Sequence, residues 1–274
     1  MMQKVSVCLI LNNEDYESDY WGTIYSFERS GFVIIEKKSE FIIKDAPKEY
    51  IKVIDNVEVE LLVAYTDKSS KKLIEYFKPI ATELIEVKHK KDVAGAICDA
   101  QAYNELFVKA KNEFICIVSP YIFFQQHWLT ELIYYHQNVG KSGIIGICTD
   151  FSNADFSPLP SPDIETFVNV FLPKGKTINT NGVLFFPKEY LYYIGALDES
   201  VSFICGHELT QYQLRCVAMG LTNYYIPTQS CVIVNEHRTN KYWSSEIATS
   251  EAKITKTLAE MRKHKTYYIQ LSKN

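Results

Sequence analysis

The chain has 274 residues, 47% of them hydrophobic and 23% charged, with a net charge of −4. That composition excludes collagen-like, disordered and disulfide-scaffold classes, and the mild acidity supplies no drive toward nucleic acid or an anionic membrane. The length suffices for one large α/β domain, or two small ones, with a sizeable core.

In chain order, the apolar run Val5 to Leu11 stops at Asn12-Asn13 and predicts a buried strand. It is too short to span a bilayer and no small-residue cleavage site follows it, so no leader or membrane span is expected and the cytoplasm is the default compartment. Tyr20 to Phe27 reads as a short amphipathic helix. Phe32 to Ile35 and Phe41 to Ile43 flank a polar turn, Glu36 to Ser39, as in a hairpin, and Tyr50 to Ile54 reads as a further strand. Glu60 to Tyr65 is a buried strand ending in the polar loop Thr66 to Ser70. Leu73, Ile74 and Phe77 then recur at helical spacing, and Leu84 to Val87 is a short strand.

From Asp99 onward Tyr103, Leu106, Phe107 and Ala110 form one helical stripe. Phe114 to Val118 is the clearest core strand, ended by Ser119-Pro120 because proline cannot donate to a ladder. Trp128, Leu129, Leu132 and Ile133 predict a helix, and Ile144 to Ile147 a strand. Residues 151 to 163, rich in proline, serine and aspartate, read as a long loop. Strand character resumes at Asn181 to Phe186. A helix over Glu208 to Met219 is capped by Gly220, and Tyr224 to Ile226 and Cys231 to Val234 are late strands. In the tail Ser244 or Ser245 caps a helix whose stripe of Ile247, Ile254, Leu258 and Met261 is expected to pack on the domain. The same stripe is where a protein partner or a second copy would dock.

The seven cysteines, at 8, 98, 116, 148, 205, 216 and 231, are odd in number and contain no C-x-x-C pair. They read as small buried hydrophobes in a reducing compartment. Strands alternating with helices in the first half imply a largely parallel sheet covered on both faces, where ligands bind beyond the carboxyl ends of the strands. Asn12-Asn13, Thr66-Asp67 and Ser119-Pro120-Tyr121 are therefore expected to meet at one rim.

Three stretches, taken in order, resemble the family 2 glycosyltransferases of the GT-A fold. The first runs from Ala102-Tyr103-Asn104 through Lys109-Ala110-Lys111-Asn112-Glu113 and Phe114 to Val118, and ends at Trp128-Leu129. It is similar to the family run A-R-N, A-x-G-E-[YF]-[IL], strand, D-x-D and W-L. The second joins Gly182 to Phe186 with Ile194-Gly195-Ala196-Leu197-Asp198-Glu199, and resembles a strand followed by I-G-G-F-D-E. The third, Gly206-His207-Glu208-Leu209-Thr210-Gln211 with Arg215, Gly220, Ile226-Pro227 and His237, resembles G-x-E-D-x-D-L-x-x-R, a glycine, Y-x-P and a late histidine. The likeness covers roughly residues 3 to 238. It implies a nucleotide-diphospho-sugar transferase-like α/β domain over 1–240 with a β-rich insertion at about 28–58, and a C-terminal helix and tail over 241–274 packed on it.

The departures bear on chemistry. Ser119-Pro120-Tyr121 stands where the family's D-x-D binds a divalent ion, and a hydroxyl with a neutral phenol is a poor substitute for carboxylate oxygens. A weakly bound Mn²⁺ or Mg²⁺ is the most these residues would support, with His237 the one weak protein ligand offered. Leu209 and Gln211 replace the aspartates of E-D-x-D, which leaves Glu208 as the candidate base. The resemblance implies a donor site built from Asn12, Asn13, Tyr65, Asp67, Asn104, Ser119 and Tyr121, with Asn181 and His207 on the acceptor side. It also implies inversion of configuration.

Each assignment has a structural counterpart. Glu208 is equally a helix-start carboxylate favoured by the macrodipole, Asp67 a turn aspartate and Asn104 a scaffold residue. The expected activity is transfer of a sugar from a nucleotide-diphosphate donor to a hydroxyl of a glycan or lipid-linked acceptor, as in polysaccharide biosynthesis. The alternative is an inactive relative that binds sugar nucleotide or glycan, or that partners an active transferase.

Overall fold

The computed structural model describes residues 2–11, 17–36, 50–54, 56–88, 99–118, 122–147, 149–150, 183–199, 207–226 and 231–233, with 256, 259–261, 263 and 270 in the tail. The elements run β1 (Lys4–Ile10), α1 (Glu17–Arg29), β2 (Val33–Glu36), β3 (Tyr50–Ile54), β4 (Val57–Tyr65), α2 (Lys71–Phe77), β5 (Glu83–Glu86), α3 (Asp99–Lys109) and β6 (Phe114–Val118). They continue with β7 (Ile122–Phe124), α4 (Trp128–Asn138), β8 (Ser142–Ile147), β9 (Thr149–Asp150), β10 (Val183–Pro187), α5 (Tyr190–Tyr193), α6 (His207–Ala218), β11 (Thr222–Ile226) and β12 (Cys231–Ile233).

Nine strands form the main sheet in the order β11-β8-β10-β6-β1-β4-β3-β2, with β5 also on β4. The apolar runs that predicted strands form its centre: β1 lies parallel to both β4 and β6, and β5 is parallel to β4. Alternation along these strands feeds two cores. Val5, Val7, Leu9 and Leu11 point with Cys116 and Val118 into one, closed by α1, α2 and α4 through Ile24, Phe27, Leu73, Phe77, Trp128 and Leu132. Cys8, Ile10, Leu62, Ala64, Ile115 and Ile117 point into the other, closed by α3, α5 and α6 through Tyr103, Leu106, Phe107, Leu191, Leu209 and Tyr212. A period of two with apolar residues on both faces is what helices on either side require. Cys8, Cys116 and Cys216 are free and buried in these cores.

The order also departs from a simple parallel sheet. β10 is antiparallel to β6 and to β8, because β8 ends and β10 begins at the same end of the sheet. β11 is again parallel to β8. At the other edge the hairpin partner of β2 is β3, with Val33 opposite Val53 and Glu36 opposite Tyr50. The expected hairpin of Phe32 to Ile35 with Phe41 to Ile43 falls on a segment, 41–43, outside the described residues. β3 and β5 share one edge of β4, β3 beside Val57–Val59 and β5 beside Leu62–Tyr65.

A second sheet of three short strands, β7-β12-β9, was not predicted as such; only β12 was read from sequence. Ser26 of α1 anchors β7: its hydroxyl donates to the Ile122 carbonyl (3.3 Å) and accepts from the Phe124 amide (3.0 Å). Gly220 ends α6 at φ +83°, where Leu221 N donates to the Cys216 carbonyl, and this is the cap expected for it. The loop read at 151 to 163 and most of the tail stripe lie outside the described residues. Among the described residues no helix is long and apolar enough to cross a membrane.

Candidate functional site

Strand direction places the site residues before any side chain is considered. β1, β4 and β6 are parallel, so the segments after Ile10, Tyr65 and Val118 leave the sheet at one end. β11 follows α6 and is parallel to β8, which runs with β6; α6 therefore starts at that same end, with Glu208 in its first turn. Thr66-Asp67 and Glu208 thus share the rim at the carboxyl ends of the parallel strands.

The exit of β4 is tightly built. Thr66 N donates to Ser69 Oγ at 2.9 Å, Ser69 N returns to the Thr66 carbonyl at 3.1 Å, and Ser69 Oγ donates to the Leu11 carbonyl at 2.6 Å. Ser69 therefore clamps the exit of β1 to the exit of β4, and Ser70 caps α2 by accepting from Leu73 N. Tyr65 is partly buried against the first core, while Asp67 is exposed at the tip of this turn with its carboxylate facing solvent.

The other wall is α6 and the irregular segment that climbs beside it. Arg215 is fully buried; its guanidinium donates to the Ile194 carbonyl (2.8 Å) and the Ala196 carbonyl, and stacks over the Tyr212 ring at 5.0 Å. Burial lowers its pKa, opposed by Tyr212, Cys216 and Asp198. One turn up, Gln211 Nε2 donates to Asp198 Oδ2 at 2.8 Å. Asn104 of α3 grips the same segment: Leu197 N donates to its Oδ1 (2.9 Å), and its Nδ2 donates to the Leu197 carbonyl (3.0 Å) and to Glu199 (3.1 Å). Residues 194–199 thus run antiparallel to α6, held rung by rung, and Glu208 is the next rung on that face. Glu208 is 1% exposed.

These contacts revise the local roles. Arg215 of the family-like motif holds the backbone after α5. Asn104 has its amide committed to that backbone, which is its scaffold role. Gln211, at a position where the family motif has aspartate, is bound to Asp198, a partner 13 residues away that only the fold reveals. Asn12, Asn13, Ser119, Tyr121, Asn181 and His237 lie outside the described residues, and His207 is placed only as the first residue of α6.

Among the described residues no three His, Cys, Asp or Glu side chains come together to hold a metal ion. Of the described carboxylates near the rim, Asp67 lies at an exposed turn, Glu86 ends β5, Asp198 accepts from Gln211, Glu199 accepts from Asn104 and Glu208 is buried in its helix, while the D-x-D position offers only hydroxyls. A small enclosed cavity of about 20 Å³ lies between β1, α1 and α2, lined by Val7, Leu9, Phe27 and Phe77. Its walls are apolar and it can take no ligand larger than a water.

No family model matches the chain, and no curated protein matches it. Solved structures do. The mannosyltransferase PcManGT from Pyrobaculum calidifontis, in complex with GDP-Man and Mn²⁺, is 15% identical with a TM-score of 0.56, covering 95% of this chain and 65% of that one. Residues 1–349 of S. aureus TarS are 10% identical with a TM-score of 0.53, covering 94% and 65%. TarS with UDP-GlcNAc is 11% identical at a TM-score of 0.53, covering 92% and 65%. The fold is GT-A. The chain spans 65% of the length of each of these neighbours.

Proposed function

We propose that the chain is a glycosyltransferase related to family 2, moving a sugar from a nucleotide-diphosphate donor to a hydroxyl of a glycan or lipid-linked acceptor in the cytoplasm. The observation that carries this reading is the shared rim: the exits of β1, β4 and β6 and the head of α6 stand at one end of a GT-A sheet. In this reading the Asn12-Asn13 loop, Tyr65 and Asp67 hold the nucleoside, and Ser119 and Tyr121 line the diphosphate path. Asn181 and His207 face the acceptor. The acceptor oxygen attacks the anomeric carbon, the bond from that carbon to the diphosphate oxygen breaks, and Glu208 takes the hydroxyl proton as the nucleoside diphosphate departs.

General-base help is worth roughly 10²–10⁴-fold. Glu208→Gln is therefore expected to lower turnover by that factor while leaving donor affinity nearly unchanged. Calorimetric titration of UDP- and GDP-sugars with and without Mn²⁺, run beside a donor-hydrolysis assay, checks both. Unchanged turnover in Glu208→Gln would remove the glutamate from the reaction. Absence of any nucleotide binding would remove the whole reading.

A second reading, a silent sugar-nucleotide or glycan binding module or the partner of an active transferase, is favoured by the state of α6. Glu208 is almost fully buried, and Gln211 is tied to Asp198. Binding without turnover under every metal condition is its signature.

A further inference from the structure

A cleft lies at the opposite end of the sheet from the rim. It has a volume of about 470 Å³ and is lined by the start of β6 (Lys111 to Phe114), by the end of β10 (Pro187 to Glu189), and by His136 and Tyr192. That volume is in the range of pockets that take small ligands, roughly 300–1,000 Å³.

Its side chains differ in what they have left to offer. Lys111 Nζ is engaged with Glu83 at 3.5 Å, and Lys188 Nζ donates to the Ala110 carbonyl. His136 shares a 2.7 Å hydrogen bond with Ser142 and packs edge-on against Phe114. Burial lowers its pKa, opposed by Glu113 and Glu189, so the imidazole is neutral near pH 7. By contrast, the carboxylates of Glu113 and Glu189 and the amide of Asn112 make no side-chain hydrogen bond or ion pair among the described residues. The Tyr192 ring stands 76% exposed at the mouth. The cleft thus presents committed cations, uncommitted acceptors and one open aromatic face.

This inventory selects among ligands. Two lysines against two glutamates leave no net charge to draw phosphate, a nucleotide or a basic peptide. No cation site forms there. A hydroxyl-rich neutral ring fits: its C–H face covers the tyrosine, its hydroxyls donate to the carboxylates, and the Asn112 amide serves either way. We infer that the cleft formed by Glu113, Glu189, Asn112 and Tyr192 is a binding site for a neutral saccharide, separate from the rim. The inference stands apart from the transferase reading, since none of its residues belongs to the rim.

The test is calorimetric titration of the full chain with chitotriose, maltotriose and mannotriose, at low and at high salt. At least one of the three should bind, with an affinity insensitive to salt. Tyr192→Ala should weaken it about tenfold or more, and Glu113→Gln or Glu189→Gln severalfold. Tyr192 is exposed, so a melt matching the wild type confirms that its variant folds. UDP- and GDP-sugar binding, followed in parallel, should not move in any of these variants. Failure of all three saccharides to bind, full retention of binding in Tyr192→Ala, or uptake of inorganic phosphate or trilysine at the cleft would overturn the inference. Failure of nucleotide binding alone would bear only on the rim.

Discussion

The two walls of the rim are built by different physics. The β1–β4–β6 wall rests on apolar runs and backbone ladders: Val5 to Leu11, Leu61 to Ala64 and Phe114 to Val118 are buried on both faces, with the side chains of Ser69, Ser6 and Glu60 adding bonds at the two ends. The wall of α6 and residues 194–199 has almost no regular ladder. Its backbone groups at 194, 196 and 197 are satisfied by the buried side chains Arg215 and Asn104, and Gln211 adds a side-chain bond to Asp198. Buried backbone groups must find partners somewhere, and where no strand supplies them a few long polar side chains do. The first wall should therefore fail gradually under substitution, and the second abruptly.

Arg215→Met gives the sharpest contrast. It deletes charged donors to the Ile194 and Ala196 carbonyls deep in the protein, and is expected to cost about 3–5 kcal/mol, read as a fall in the urea midpoint. Leu62→Ala, in the second core, should cost about 2–5 kcal/mol with the spread set by how far the core closes around the void. Asn104→Leu keeps the volume but strands the Leu197 amide and carbonyl, at about 1–3 kcal/mol for each group left unsatisfied. If Asn104→Leu proved as mild as a surface change, the clamp would not be what holds the second wall.

The strands of the first wall were legible because unbroken burial leaves an apolar run, and the order of helices between them fixed the parallel centre. The second wall was not. Asn104 and Leu197 are 93 residues apart, and a side-chain bond to irregular backbone leaves no periodicity to read. Ile122 to Phe124 is too short, and too close to Ser119-Pro120, to stand out as a strand. The single turn of α5 has no room to repeat. The antiparallel course of β10 follows from where β8 ends, which no local pattern records. At the site, the common end of the β1, β4 and β6 exits followed from their parallel order, whereas the place of Glu208 and the tie of Gln211 to Asp198 needed the fold.

The smallest effect expected is a pH dependence between the two ends of the sheet. The folded pKa of His136 is lowered by burial from its ordinary 6.5. The unfolded chain then binds the proton more readily, so stability is fully present above about 6.5 and is lost as the pH falls through the folded value. Glu113 and Glu189 oppose the burial and shrink the effect. Denaturation midpoints taken down that window should drift lower in the wild type and less so in His136→Gln. Equal slopes would show that the imidazole titrates alike in both states.

The divided edge of β4 has a mechanical consequence. Its first residues give their outward bonds to β3 and its last to β5, so the hairpin and the rim-side strand never touch the same stretch of ladder. A bridge joins the two stretches at Thr82, just before β5, whose hydroxyl accepts from Leu61 N at 3.0 Å and from Lys52 Nζ of β3 at 3.2 Å. A change at β3 therefore reaches the end that holds Asp67 along β4 itself or through Thr82.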